Sequence, residues 1–375
     1  MTSEYKSLGL MSGTSGDGVD ASIIQSDGET KYKVLYDKYF EYSKSIYDEI
    51  HTLKDKIYSS KDLKNIALEL KDLERQITIF HAKVSNEAIR ESKQNIDFVG
   101  FHGQTIFHNS DEKISKQLGD GELLMQLLKK TIIYDFRKND LINGGEGAPL
   151  TPIFHKLIAE KKKIEPPLCI LNIGGISNIT ILEDLKINNL KSQDIGPGNC
   201  LIDEWVRKNS KQKFDNNGIL AAAGEINKII LEQAQELYLN SSNINKRSLD
   251  VKDFDVSFAR GLSLKDGAAT LTDFTAQIIG SALTDILNYK KNLKWKILIC
   301  GGGRLNKILI QKIKQNISKN LTIQKIDEYS VNGDFVESQT FAYLAIRTFL
   351  GLPISFPKTT GCSIPCTGGK IIKVK

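Results

Sequence analysis

With 375 residues, 40% of them hydrophobic and 26% charged, the chain is long enough for one or two domains with their own apolar cores. At that length roughly 75% of the unfolded surface can be buried, so no disulfide staple is needed. The net charge of +6 comes from lysines spread along the whole sequence, without an Arg-rich arm or a basic stripe interleaved with aromatics, which argues against nucleic-acid binding.

The cysteines, Cys169, Cys200, Cys300, Cys362 and Cys366, are odd in number and scattered, which points to reduced thiols and a cytoplasmic location. Cys362 and Cys366 are close, but no second pair or His cluster completes a zinc site, so all five read as structural thiols. Met1 to Ser7 is polar and lacks the shape of a signal peptide. No apolar run approaches the roughly 20 residues of a membrane span.

Leu8 to Ser22, L-G-L-M-S-G-T-S-G-D-G-V-D-A-S, is the stretch around which the rest is organised. An apolar run enters a Ser/Thr/Gly/Asp turn, and Val19, Ala21 and Ile23 then alternate with polar residues, so the turn joins two strands. Gly13, Gly16 and Gly18 let a ligand approach the backbone, and consecutive N–H groups in such a turn can cradle an anion. Thr14 and Ser15 add hydroxyls, and Asp17 and Asp20 are suited to a hydrated metal ion beside a polyphosphate. An ordinary tight hairpin would give the same pattern. A P-loop is excluded because the turn has no lysine, and a dinucleotide fingerprint because no helix follows.

Lys31 to Phe40 reads as a third strand, completing an antiparallel meander, and Ser59 to Ser92 as a packing helix with Leu63, Ile66, Leu70, Leu73, Ile77, Phe80 and Val84 on one face. Ile96 to Phe107 is a buried strand running into a polar turn, His102 to Thr105, where His102 and Gln104 suit a ligand hydroxyl. A strand at Thr131 to Asp135 ends at Arg137, either a planar fork for a carboxylate or phosphate or a salt-bridge partner of Asp135 or Asp140. Leu168 to Leu182 repeats the opening pattern of strand, turn and strand, with Gly174, Gly175, Ser177 and Asn178 in the turn. The repeat suggests two similar domains facing each other across a cleft. Asp194 follows a short strand and precedes a rigid Gly-Pro-Gly turn; it suits a general base, a helix cap or a metal ligand equally. Ala221 to Tyr238 and Asp266 to Asn288 read as helices. Trp295 to Cys300 is a buried strand followed by Gly301, Gly302 and Gly303 and a helix, an arrangement that lets a nucleotide lie against the backbone. Glu337 opens a helix, where the dipole alone favours a carboxylate. The tail ends in a short strand-like I-I-K-V.

The motif M-S-G-T-S-x-D-G-V-D resembles the phosphate loop of the anhydro-N-acetylmuramic acid kinases, members of the actin/Hsp70/sugar-kinase superfamily. F-H-G-Q-T, G-D-G-E-L, D-F-R-K-N-D, G-G-E-G-A-P-L-T-P, N-I-G-G-I-S-N-I-T, D-I-G-P-G-N, D-G-A-A-T-L-T-D-F-T-A and C-G-G-G-R-L-N extend the resemblance over most of the chain. It implies an α/β, two-lobed actin-like ATPase fold, a duplicated ribonuclease H-like fold with a central nucleotide cleft. The lobes are expected at 1–140, completed by 345–375, and at 141–344. It implies ATP, with Mg²⁺, as phosphoryl donor to O6 of 1,6-anhydro-N-acetylmuramic acid while water opens the ring at C1. Gly13, Thr14, Ser15, Gly16, Asp17, Gly18, Val19 and Asp20 would hold the phosphates, with Gly174, Gly175, Gly302 and Gly303 as further nucleotide contacts. Asp194 would activate the water; Arg137 and Glu337 would hold the sugar, with His102 and Gln104 as further contacts. A homodimer is implied. Gly16, Ile195, Gln339 and Thr340 depart from the residues usual in the family. Two other readings keep the fold: a phosphatase or ATPase in which Asp194 turns water on phosphorus, and a non-catalytic sensor.

Overall fold

A computed structural model describes residues 3–241, 248–287 and 293–374. The chain forms two compact units, one of Met1–Ile164, Leu185–Leu190 and Phe335–Lys375, the other of Glu165–Asp184 and Lys191–Asp334. The first break therefore falls after Ile164, beyond the 140/141 boundary expected. The reason is the helix Pro152–Lys161: its Phe154 ring packs 5.2 Å from Tyr32 and 5.4 Å from Tyr343, both in the first unit. The return falls at Phe335, earlier than 345, because the whole helix Val336–Phe349 lies on the first sheet.

In the first unit, β1 (Tyr5–Ser12), β2 (Gly18–Ser26) and β3 (Tyr32–Glu41) form an antiparallel meander. β4 (Phe98–Asn109) pairs parallel with β1, β5 (Ile114–Leu118) folds back on β4, and β6 (Thr131–Tyr134) lies parallel to β4. The strand Lys370–Ile372 covers the free edge of β6. Leu8 and Leu10 point to one face, where the helix Ala67–Ser92 buries Leu70, Leu73, Ile77 and Val84 with them. Gly9 alternates to the other face. A Cβ there would lie 2.0 Å from Ser338 O, and one on Gly100 2.3 Å from Phe341 O, so the helix Val336–Phe349 rests directly on the strand backbones.

In the second unit, β7 (Leu168–Ile173), β8 (Ile176–Leu182) and β9 (Lys191–Pro197) form a second meander; β10 (Trp295–Cys300) runs parallel to β7 and β11 (Leu321–Lys325) parallel to β10. The orders β6-β4-β1-β2-β3 and β11-β10-β7-β8-β9 match strand for strand, in sequence order and in direction. This is the duplicated ribonuclease H-like topology of the actin-like ATPases, as expected. Among the described residues no helix is long and apolar enough to cross a membrane.

Several local expectations shift. His102 to Thr105 is part of β4, not a turn; Gly103 at φ +77° and a register shift let the strand continue. Asp194 sits within β9, opposite Asn178 of β8, rather than after a strand. The helix expected at 221–238 is two, Ile219–Ala222 and Lys228–Leu239, because the chain passes Gly224 close to Lys265 O and restarts with Asn227 capping Ile230. The long helix runs Leu264–Leu287, and Asn288 lies outside the described residues. Strands β5 and β11 lack a strong periodic signal, whereas the helix Lys44–Asp55 carries one, with Ile46, Ile50 and Leu53 buried at helical spacing.

The close approach at Gly100 has a measurable cost. Gly100→Ala should lower stability by about 1–3 kcal/mol, read as the urea unfolding midpoint, because the helix backbone has to move to admit a methyl group.

Candidate active site

The turn between β1 and β2 is braced from beneath. Ser12 Oγ lies 2.9 Å from Gly18 O, 3.0 Å from Tyr42 Oη and 2.5 Å from Gln104 Oε1, all buried. Gln104 Nε2 donates to Gly13 O at 2.8 Å, and Gly16 N donates to the same oxygen at 3.2 Å. From the helix Lys44–Asp55, Lys54 Nζ donates to Thr14 O at 2.6 Å and Ile50 packs against Gly16, which has φ +66°. Gln104 is fully buried and both ends of its amide brace the turn. Ser15 is exposed, Gly13, Thr14, Asp17 and Asp20 half-buried, and Gly16, Gly18 and Val19 buried.

His102 is likewise committed. Its Nδ1 lies 2.8 Å from Gly103 O, and Arg137 Nη2 and Nε lie 2.9 and 3.2 Å from its Nε2. Burial first, then the Arg137 charge, hold the ring well below its ordinary pKa, so it is neutral, donating from Nδ1 and accepting at Nε2. Arg137 Nη1 also donates to Gly147 O at 2.8 Å. The guanidinium is thus fixed by an imidazole and a carbonyl, not by the salt bridge considered from sequence with Asp135 or Asp140. Asp140 instead takes Ser355, Thr360 and Gly147 N. Glu337 stands half-buried in the first turn of its helix. Two residues on, Gln339 Nε2 bridges both oxygens of Asp37 at 3.1 Å, and Ser22 Oγ donates to the same carboxylate at 2.6 Å.

In the second unit, Gly174 and Gly175 form the β7–β8 turn, while Ser177 and Asn178 already belong to β8. Gly198 N donates to Gly175 O and Asn199 N to Gly174 O, at 2.8 and 2.7 Å, so the Gly-Pro-Gly segment clamps this turn to the next helix. Asp194 is 8% exposed and its Oδ2 accepts Leu249 N at 2.8 Å. Cys300 pairs with Asn172, so the Gly301–Gly303 loop leaves the sheet beside the β7–β8 turn. Arg304, 3% exposed, holds that loop: Nη1 donates to Gly301 O at 3.1 Å, and the fork reaches Asp327 and Asp334. Burial alone would depress its pKa, but the two aspartates raise it, so the charge is permanent. Arg304, Ser12, Tyr42 and Lys54 were not singled out from sequence. Arg304 directly after three glycines was the one legible signal.

Three of the expected ligand glycines stand apart. A Cβ on Gly302 would meet nothing within 4 Å, one on Gly13 only Ser15 Oγ at 3.9 Å, and one on Gly174 nothing nearer than 3.6 Å; none has φ in the left-handed region. Neither packing nor backbone conformation requires glycine there. Gly303, by contrast, is a packing glycine, since its Cβ would sit 2.2 Å from Ile173 Cγ2.

The duplicated fold with a glycine turn at the head of each meander is that of the actin-like ATPases. The family model described as anhydro-N-acetylmuramic acid kinase matches residues 5–374. A protein of that name from Pelagibacter ubique (strain HTCC1062) is 54% identical over 98% of this chain and 98% of its own length. The Agrobacterium fabrum (strain C58 / ATCC 33970) protein of the same name is 34% identical over 98% of each. Among solved structures, component A of the Acidaminococcus fermentans (R)-2-hydroxyglutaryl-CoA dehydratase overlays with a TM-score of 0.46 at 12% identity, covering 92% of this chain and 98% of that one. The chain belongs to the anhydro-N-acetylmuramic acid kinase family.

His102 is not the only histidine held neutral. Burial pulls His81 down to about 4 and His155 to about 3; burial and then Arg137 take His108 to about 3. Unfolded histidines protonate near 6.5, so below that pH the unfolded chain binds more protons than the folded one and stability falls. Urea unfolding should give a free energy that is level above about pH 7 and declines below about 6.5, by up to about 1.4 kcal/mol per pH unit for each histidine. A level value down to pH 5 would contradict the neutral assignments.

Proposed function

We propose that the chain transfers the γ-phosphoryl group of ATP to O6 of 1,6-anhydro-N-acetylmuramic acid while water opens the anhydro bridge, giving N-acetylmuramic acid 6-phosphate. The observation that carries the nucleotide part is the set of glycines whose side-chain space is open: Gly13 in one unit, Gly174 and Gly302 in the other. A residue that nothing in the fold requires to be glycine fits a surface kept bare for a ligand. Gly13 to Asp20 hold the phosphates, Gly174 and Gly175 add backbone contacts, and Gly302 and Gly303 face the nucleoside. Asp17 and Asp20, half-buried beside the turn, supply the oxygen ligands that suit Mg²⁺. That ion would neutralise phosphate charge.

Arg137 and Glu337 hold the sugar in this reading. His102 acts through Arg137, as a neutral acceptor that fixes the fork. Asp194 Oδ2 is anchored by Leu249 N, which orients the carboxylate for its role as base. It takes a proton from water as the water oxygen bonds to C1. The C1–O6 bond breaks, its electron pair passes to O6, and O6 bonds to phosphorus as ADP leaves. Ring opening therefore produces the nucleophile for phosphoryl transfer, and one base serves both bond changes.

Two measurements test this. In oxygen-18 water with ATP and the anhydro sugar, label should appear at C1 of a 6-phosphorylated product. Phosphate release without sugar consumption would mark an ATPase instead. Asp194→Asn should lower kcat by roughly 10²–10⁴-fold with ATP binding retained. Separately, Gly302→Ala should weaken nucleotide binding while leaving the unfolding midpoint in place, the reverse of Gly100→Ala.

A further inference from the structure

The first unit contains three ligand-bearing side chains that no step above uses. Asp140, Cys362 and Cys366 are 1, 1 and 3% exposed, and a carboxylate oxygen and the two sulfurs lie within 4.8 Å of one another. The chain around them is pinned on every side. Cys366 N donates to Ser355 O at 3.0 Å and Ile354 N to Cys366 O at 2.8 Å. Ser363 N donates to Asn143 O, and Glu146 N to Thr360 O. Asp140 Oδ1 accepts Ser355 Oγ and Thr360 Oγ1 at 2.5 and 2.6 Å, and Oδ2 accepts Gly147 N at 2.7 Å. The carboxylate is therefore oriented by three donors before any ligand arrives, as metal-binding carboxylates are.

We propose that Asp140, Cys362 and Cys366 form a binding site for one thiophilic divalent cation of the zinc group. Two cysteines separated by three residues fall within the spacing of zinc-binding pairs. Metal bonds of about 2.3 Å to sulfur and about 2.1 Å to oxygen place tetrahedral ligand atoms roughly 3.5–3.8 Å apart, so the three atoms have to close by about 1.3 Å at most. The charge balance favours exchange. On binding, each S–H bond breaks, its proton leaves to solvent, and each sulfur keeps its electron pair for a bond to the metal. Two protons depart for one dication, so the net charge of the buried cluster is unchanged and no new buried charge has to be solvated. Water fills the fourth position.

The test is a titration of the full-length reduced protein with Cd²⁺ or Co²⁺ alone. A thiolate-to-metal charge-transfer band should saturate at one equivalent with two protons released per ion. The band should vanish in Cys362→Ser/Cys366→Ser and persist in Cys200→Ser, which alters a thiol outside the cluster. Ser355→Ala keeps all three ligands and should weaken binding by about 10–100-fold. Should the double variant fail to fold, alkylation mapping on the unaltered protein decides: Cd²⁺ must slow labelling of Cys362 and Cys366 but not of Cys200. No band in the unaltered protein, a band that survives the double variant, or equal labelling with and without Cd²⁺ overturns the proposal.

Discussion

Parallel pairing of β1 with β4 brings Ser12 opposite Gln104, and the first glycine turn depends on that register. Ser12 Oγ, Gln104, Tyr42 Oη, Gly13 O and Gly18 O form one buried network in which each polar atom named has a partner. Satisfied networks of this kind hold one geometry, because losing a partner strands a buried group at about 1–3 kcal/mol. The turn is thus set before a ligand meets it, which is the condition for backbone amides to stabilise phosphate charge without reorganising. A one-residue slip of β4 would remove Gln104 and reverse the faces of Phe101 and Gly100. The same register therefore fixes both the turn and the seat of the helix Val336–Phe349.

The second unit reaches the same end by other means. Its topology repeats the first, and where Ser12 meets Gln104 in the first unit, Cys300 Sγ donates to Asn172 Oδ1 at 3.6 Å in the second. Backbone bonds from Gly198 and Asn199 hold the β7–β8 turn, and Arg304 with Asp327 and Asp334 holds the Gly301–Gly303 loop. Arg304 is the costlier device, since its buried guanidinium needs Gly301 O and two partly exposed aspartates to offset desolvation. Strand order, set by which apolar faces must meet, is shared by the two units. The braces, set by particular polar side chains, are not.

That division also explains what could be read from the sequence. The meanders, the two glycine turns and the long helices follow from alternation and apolar spacing, which are local and periodic. The partners of Gln104, His102 and Arg137 are not local: Gln104 bonds across 91 residues and Arg137 across 35. No spacing rule predicts those, and the supporting bonds of Gln104 and His102 were therefore not readable from the sequence. Asp194 was legible as a residue near a rigid turn, but its place inside β9 was not, because Gly196 and Pro197 suggest an ended strand where pairing with β8 continues. The Cys362–Cys366 pair looked incomplete for the same reason, as Asp140 lies more than two hundred residues earlier.

Three departures from the family pattern, Gly16, Ile195 and Gln339, are accounted for by their neighbours. Gly16 has φ +66° and Ile50 lies 3.0 Å from where its Cβ would be, so a bulky residue there would meet both backbone strain and the helix Lys44–Asp55. In this chain Ile50 occupies the space beneath the turn, and the turn need not be looser for having glycine. Ile195 is buried in the second core beside Ile179 and Ile279, facing away from the polar side of β9 that carries Asp194. Gln339 is tied to Asp37, a carboxyl whose pKa burial raises while Ser22 and Gln339 work to lower it. A smaller residue at 339 would withdraw two of the hydrogen bonds that make Asp37 tolerable there. Gln339 thus ties the first turn of the helix that carries Glu337 to Asp37 of β3.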